Sequence, residues 1–171
     1  MKRLGFLLSL LALFLKIQGQ DEKMNSFVSD LMNKMTIEEK IGQLNLTTSG
    51  GFVTGSTVND KVQQKLKAGQ IGGMLNASFS SMKASMDIAV KESPHHIPLL
   101  FGMDVIHGYQ TIFPIPLGMS CIWDVTLVEK AARIAAQEAT ANGIAWTYSP
   151  MVDIARDPRW GRIAEGAGED P

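Results

Sequence analysis

Short apolar runs alternate with longer stretches of helical period through most of this sequence, and that alternation restricts the fold more than any other feature. Ile71-Gly72-Gly73-Met74-Leu75 is followed by Phe79 to Lys91, where Met82, Met86, Ala89 and Val90 recur at helical spacing. Leu99-Leu100-Phe101-Gly102-Met103, entered after Pro98, precedes Asp124 to Asn142, which carries Leu127, Val128, Ala131, Ile134, Ala135 and Glu138 and has Asn142-Gly143 as its stop. Ile144 to Ser149 is the next strand, and Ser149 to Asp153 reads as a further strand end. Strand-then-helix units with strands apolar along their length predict an α/β protein whose parallel sheet is buried on both faces. Upstream, Phe27, Val28, Leu31, Met32 and Met35 predict an amphipathic helix with Asp30, Asn33 and Lys34 turned outward. Thr36-Ile37-Glu38-Glu39 is a capping box that starts a second short helix through Ile41 and Leu44, and Gly50, Gly51 and Gly55 mark a loop.

Composition narrows the function classes. With 16 Lys+Arg against 17 Asp+Glu the formal charge is −1, so no basic field invites a nucleic acid. One cysteine, Cys121, excludes an internal disulfide and a Cys-rich zinc cluster, and it reads as a small buried hydrophobe. Lys2 and Arg3, then the apolar run Leu4 to Leu15, then Ile17-Gln18-Gly19 have the order of a secretory signal peptide over residues 1–19. That run is shorter than the roughly 20 residues a membrane-spanning helix needs. The expectation is a cleaved leader, a mildly acidic mature chain over 20–171 and no membrane anchor after cleavage; a retained anchor is the alternative.

Ligands of parallel α/β sheets sit beyond the carboxyl ends of the strands. Asp104 lies there, directly after the run ending at Met103, with His107-Gly108 close behind. Spacing alone leaves two roles open, a ligand contact or a cap on the following turn. The second candidate is Arg156-Asp157-Pro158-Arg159-Trp160-Gly161-Arg162, which must order itself through its own charge pairs because Pro and Gly preclude a regular helix. It is either a solvated charged loop or one that lines a site. Trp160 and the dense continuation Glu165-Gly166-Ala167-Gly168-Glu169-Asp170-Pro171 favour the second.

Three strings carry a family resemblance: Phe101 to Gly108 (FGMDVIHG), Phe113 to Gly118 (FPIPLG), and Ser149 to Pro171 (SPMVDIARDPRWGRIAEGAGEDP). Together with MTIEEKIGQL from Met35 to Leu44 they closely resemble glycoside hydrolase family 3, in particular its periplasmic bacterial β-glucosidases. The resemblance implies the N-terminal portion of a (β/α)8 TIM-type barrel, incomplete in this chain because a whole barrel takes about 250 residues. It implies retaining hydrolysis of terminal non-reducing β-D-glucosyl residues, with a nucleophile and an acid/base carboxylate about 5 to 5.5 Å apart. Neither is matched here, and both are expected beyond Pro171. The 171-residue chain is therefore expected to be an inactive N-terminal fragment of a longer protein, secreted across the inner membrane to the periplasm.

Two positions carry over from the family. Asp104 matches an aspartate that accepts hydrogen bonds from glucose hydroxyls remote from the scissile bond, and Arg162 matches an arginine that donates to neighbouring hydroxyls. His107 is expected to be structural and Trp160 to support the arginine loop, while Arg159, Asp157 and Glu165 form ion pairs within it. No metal or other cofactor is expected: His95 and His96 point to opposite faces of an extended chain, and Asp153, Asp157, Glu169 and Asp170 lack an EF-hand spacing. The expected partners are β-linked glucosides or oligosaccharides. A β-xylosidase or other exo-β-glycosidase of the same family is an alternative, and so is a non-catalytic sugar-binding half-barrel.

Overall fold

The computed structural model describes residues 22–48 and 61–169. The leader reading over 1–19, the glycine loop at 50–55 and Asp170 lie outside the described residues. The chain divides into two compact units, 1–40 and 41–171. In the first, α1 covers residues 22–34 as the apolar period predicts. The burial that period implies is met only in part: Met35 is buried and Leu31 half-buried, while Phe27, Val28 and Met32 are exposed. The capping box forms: Glu39 N–H donates to Thr36 Oγ1 at 3.2 Å and Thr36 N–H donates to Glu39 Oε2 at 2.7 Å. Two of the helix-start donors are thereby satisfied reciprocally, and α2 runs over Ile37–Gln43.

In the second unit β1 (Leu46–Thr48), α3 (Val62–Lys67), β2 (Gly73–Leu75), α4 (Phe79–Glu92), β3 (Leu100–Met103), α5 (Pro116–Met119), α6 (Val125–Ala141) and β4 (Trp146–Thr147) follow in order. All strand pairs are parallel and the sheet order β1-β2-β3-β4 is the chain order. A doubly wound sheet would reverse order at a switch point; a sheet that keeps chain order is laid out as part of the wall of a (β/α)8 barrel. The two long helices start where their caps dictate. Ser78 Oγ accepts from Ser81 N–H, and Asp124 Oδ1 accepts from Thr126 and Leu127 N–H at 2.9 and 3.2 Å.

One core joins Met74 and Phe101 of the sheet to Leu66 of α3, Met82 and Ala89 of α4, and Ala135 and Ala139 of α6. Burying the side chains of Met74 and Phe101 contributes about 1.5–3 kcal/mol each. On the other face the register aligns Leu46, Gly73 and Leu100, and then Thr48, Leu75, Gly102 and Trp146. There Leu46, Leu100 and Trp146 are 39%, 44% and 44% exposed. The expected burial on both faces is met fully on the Met74–Phe101 side, where α3, α4 and α6 pack, and only in part on the other, where Thr48, Gly73 and Gly102 are buried between exposed Leu46, Leu100 and Trp146.

The strand expected over Ile144 to Ser149 shortens to Trp146–Thr147, and the one expected to end at Asp153 is absent. Pro150 has no N–H to give a ladder, and Ser149 Oγ donates to the Val105 carbonyl at 2.8 Å, tying the chain to the end of β3 instead. A Cβ at Gly102 would collide with the hydroxyl and ring of Tyr148. Gly102→Ala is therefore expected to destabilise the protein by about 1–3 kcal/mol, the usual range for overpacking. The urea midpoint measured against wild type checks this, and an unchanged midpoint would mean that the ring is free to leave.

Candidate functional site

Beyond the carboxyl ends of β2, β3 and β4 stand Asn76, Asp104 and Tyr148. Asn76 has φ +50°, a left-handed conformation that asparagine tolerates better than most side chains. Its N–H donates to the Gly102 carbonyl at 2.9 Å, and its Oδ1 accepts from Asp104 N–H at 3.4 Å. The turn at Asp104 is therefore braced by a neighbouring strand end. The Asp104 carboxylate is exposed and accepts no hydrogen bond among the described residues, so it is not the cap of its own turn. The Tyr148 hydroxyl is buried and unpartnered among them. Burial first, and then the Asp104 carboxylate, push its pKa up. The Trp146 and Tyr148 rings pack at 4.9 Å with planes tilted by 56°.

The arginine loop orders itself by the charge pairs its composition demands. Asp157 accepts from the backbone N–H of Arg159 at 2.9 Å, starting the 3₁₀ turn Pro158–Trp160, and from the Arg159 guanidinium. Arg162 donates through Nε and Nη2 to the two oxygens of Glu165, a fork on a carboxylate. Hydrogen bonds from their arginines hold Asp157 and Glu165 below the usual carboxylate range. Arg162 is pushed up, first by its hydrogen bonds and charge pairing with Glu165, against burial, and then by Asp153 and Asp104. Asp104 and Arg162, 58 positions apart in the sequence, thus lie within electrostatic reach of each other. With two of its five N–H donors on Glu165, Arg162 keeps three for other acceptors.

The supporting residues divide. His107 Nδ1 faces the Phe113 carbonyl at 3.2 Å, a structural contact within its own loop that makes Nδ1 the donor and leaves Nε2 an acceptor. Trp160 is 41% exposed. Cys121, expected to be buried, is exposed on the 3₁₀ turn Ser120–Ile122 among exposed Ile122, Trp123 and Val125. A single cysteine in a short turn gives no periodicity from which burial could be read, and its apolar neighbours are themselves exposed. His96 Nδ1 is engaged by the Val90 carbonyl at 2.8 Å, and no group of three His, Cys, Asp or Glu side chains converges among the described residues. A hollow of about 430 Å³ lies behind the loop, lined by Leu117, Ala155, Arg156, Pro158, Ile163, Gly168 and Glu169. It includes neither Asp104 nor Arg162. Sequence reasoning missed Asn76 and Tyr148, although the strand-end rule that selected Asp104 applies equally to Asn76, the residue after Leu75.

Comparison with known proteins supplies the context for this geometry. The sequence profile of the glycosyl hydrolase family 3 N-terminal domain matches residues 36–171. The chain is 40% identical over 150 residues to a periplasmic β-glucosidase of Salmonella typhimurium, covering 87% of this chain and 19% of that protein. It is 31% identical over 160 residues to a putative β-xylosidase of Formosa agariphila, covering 84% and 21%. The β-glucosidase of Listeria innocua, solved with isofagomine, superposes with a TM-score of 0.75 at 40% identity over 85% of this chain and 20% of that one. Crystal structures of that β-glucosidase with glucose, and of a mutant of it with laminaribiose, also match. The chain spans about a fifth of the length of these relatives.

Proposed function

Because the chain belongs to glycosyl hydrolase family 3, we propose that Asp104 and Arg162 hold the terminal non-reducing sugar of a β-glucoside in a retaining exo-β-glucosidase. The observation that carries this reading is the Asp104 carboxylate, which stands at the carboxyl end of β3 with no protein donor on it and within reach of the Arg162 charge. An ionised carboxylate is acceptor-only and suits a pair of sugar O–H donors; the unused N–H groups of Arg162 suit the neighbouring hydroxyl oxygens. Contacts remote from the scissile bond select the chain end and supply binding energy for the reacting carbon.

The reacting carboxylates, on this reading, come from outside residues 1–171. The leader over 1–19 directs export without leaving an anchor, and the name of the Salmonella relative supports a periplasmic location. The putative β-xylosidase among the relatives favours a xylosidase as the second reading. The enzyme expressed from the complete gene decides between them. Aryl β-glucoside is expected to exceed aryl β-xyloside in kcat/KM by about tenfold or more, because a site built around a hydroxyl penalises its absence. A preference for the xyloside would establish the second reading, and no turnover of either would remove both.

A further inference from the structure

The helical period places Glu138 on the apolar stripe of α6, where a charged residue is out of place unless it has partners. Its partners are in the loop that leaves β3. Glu138 Oε2 accepts from Gln110 N–H at 2.9 Å and Thr111 N–H at 2.8 Å, and Oε1 accepts from the Thr111 hydroxyl at 2.6 Å. That loop is already folded on itself. Phe113 N–H donates to the His107 carbonyl at 2.8 Å, His107 Nδ1 faces the Phe113 carbonyl, and Gly108 bridges both Ile106 and Ile112. Gly108 has φ +110°, and a Cβ there would collide with the Thr111 carbonyl, so this tight unit admits little else.

The unit leaves β3 through Asp104, braced by Asn76, and Val105, which is buried in the core, and Tyr109 packs against the same core. The bonds to α6 are the polar anchor of the 110–111 side of the unit, and they help fix its orientation and with it the direction in which the chain leaves Met103. We propose that Glu138 is a positioning residue that clamps the 106–113 loop to α6 and thereby sets the aim of the Asp104 carboxylate. The clamp stands on the hydrogen bonds alone, while its consequence for sugar binding rests on the reading of Asp104 given above. The Thr111 bonds, chiefly, hold the Glu138 carboxyl below its usual range, which keeps all its acceptors available at neutral pH.

Chemistry separates an anchoring role from a role of charge. Glu138→Ala removes every acceptor. Glu138→Gln keeps one oxygen for the two amides, and the Thr111 hydroxyl can turn to accept from the new NH2 group. Both substitutes are good helix formers, so α6 is not the variable. In the full-length enzyme, Glu138→Ala is expected to speed amide exchange of the 104–113 peptide by about tenfold or more. KM for an aryl β-glucoside should rise about tenfold with a smaller change in kcat, since a misaimed remote contact weakens binding first. Glu138→Gln should stay within about threefold of wild type on both measures.

Unchanged exchange in the Ala variant would overturn the clamp. Faster exchange with an unchanged KM would overturn the positioning role, and a Gln variant as impaired as Ala would assign the effect to charge. Should Glu138→Ala fail to fold, Thr111→Val removes one partner from the loop side and is expected to raise KM by about two- to threefold; no change there would also overturn the proposal. An enzyme inactive on every β-glycoside would remove the sugar reading while the exchange measurement still judged the clamp.

Discussion

Asp104→Asn in the full-length enzyme is expected to lower kcat/KM for β-glucosides by at least tenfold with little change in melting temperature. The amide keeps the shape of the carboxylate but turns one acceptor oxygen into a donor, so one sugar hydroxyl faces the wrong partner. A charge-assisted hydrogen bond of about 1.5 to 3 kcal/mol is lost, which at about 1.4 kcal/mol per decade is ten- to roughly a hundredfold. Stability should hold, because the carboxylate bonds to nothing among the described residues and Asn76 braces the backbone N–H, not the side chain. Arg162→Lys should follow the same course, since a point ammonium cannot both replace the fork on Glu165 and serve the sugar. Near-wild-type kcat/KM in Asp104→Asn would end the sugar-binding assignment. Loss of activity together with a collapsed melting temperature would show that Asp104 serves the fold.

The 171-residue chain on its own is expected to hydrolyse no aryl β-glucoside above the buffer rate. Retaining hydrolysis needs one carboxyl kept protonated near neutral pH to act as the acid, beside a second that attacks. Each carboxyl among the described residues with a clearly displaced pKa is displaced downward: Asp87 by Lys91, Glu138 by Thr111, Asp157 by Arg159 and Glu165 by Arg162. These groups are ionised and engaged, the opposite of what an acid catalyst requires. Removing general acid catalysis alone costs about 10²–10⁴ in rate, and the nucleophile would be lacking as well. Turnover that co-purifies with the chain and disappears in its Asp104→Asn variant would refute this, since a contaminating host enzyme would not respond to the substitution.

Local signals in the sequence were reliable where one side chain decides the backbone. The Thr36–Glu39 box, the periodic runs that begin at Phe79 and Asp124, and the Asn142-Gly143 stop place α2, α4 and α6 to within a residue or two. Elements with little apolar content escaped: β1 is only Leu46-Thr47-Thr48, and α3 offers just Val62 and Leu66 at helical spacing. The family strings singled out Asp104 and Arg162, and composition called for ion pairs within the loop among Arg159, Asp157 and Glu165; the pairs that form are Arg159–Asp157 and Arg162–Glu165, the latter using the arginine that the resemblance gives to the sugar. Relations across distance were not legible. Asn76 reaches Asp104, Tyr148 packs over Gly102, and Glu138 grips residues 110–111, and none of these pairings follows from period or propensity. Burial misled for the same reason, since an apolar run says that a strand wants covering but not by what.

The agreement of strand order with chain order bears on how the sheet is assembled. Each strand pairs with the one made just before it, at a separation of 27 residues for Leu46 with Gly73 and for Gly73 with Leu100, and 44 for Gly102 with Trp146. Loop-closure entropy rises only as the logarithm of length, so the third closure costs about 0.4 kcal/mol more than the others. Assembly can therefore proceed vectorially, each β/α unit docking on its predecessor as it emerges from the ribosome or a translocation channel. In such an order the strand ends carrying Asn76 and Asp104 meet before β4 brings Tyr148, so the proposed sugar site would be built from its oldest residues outward.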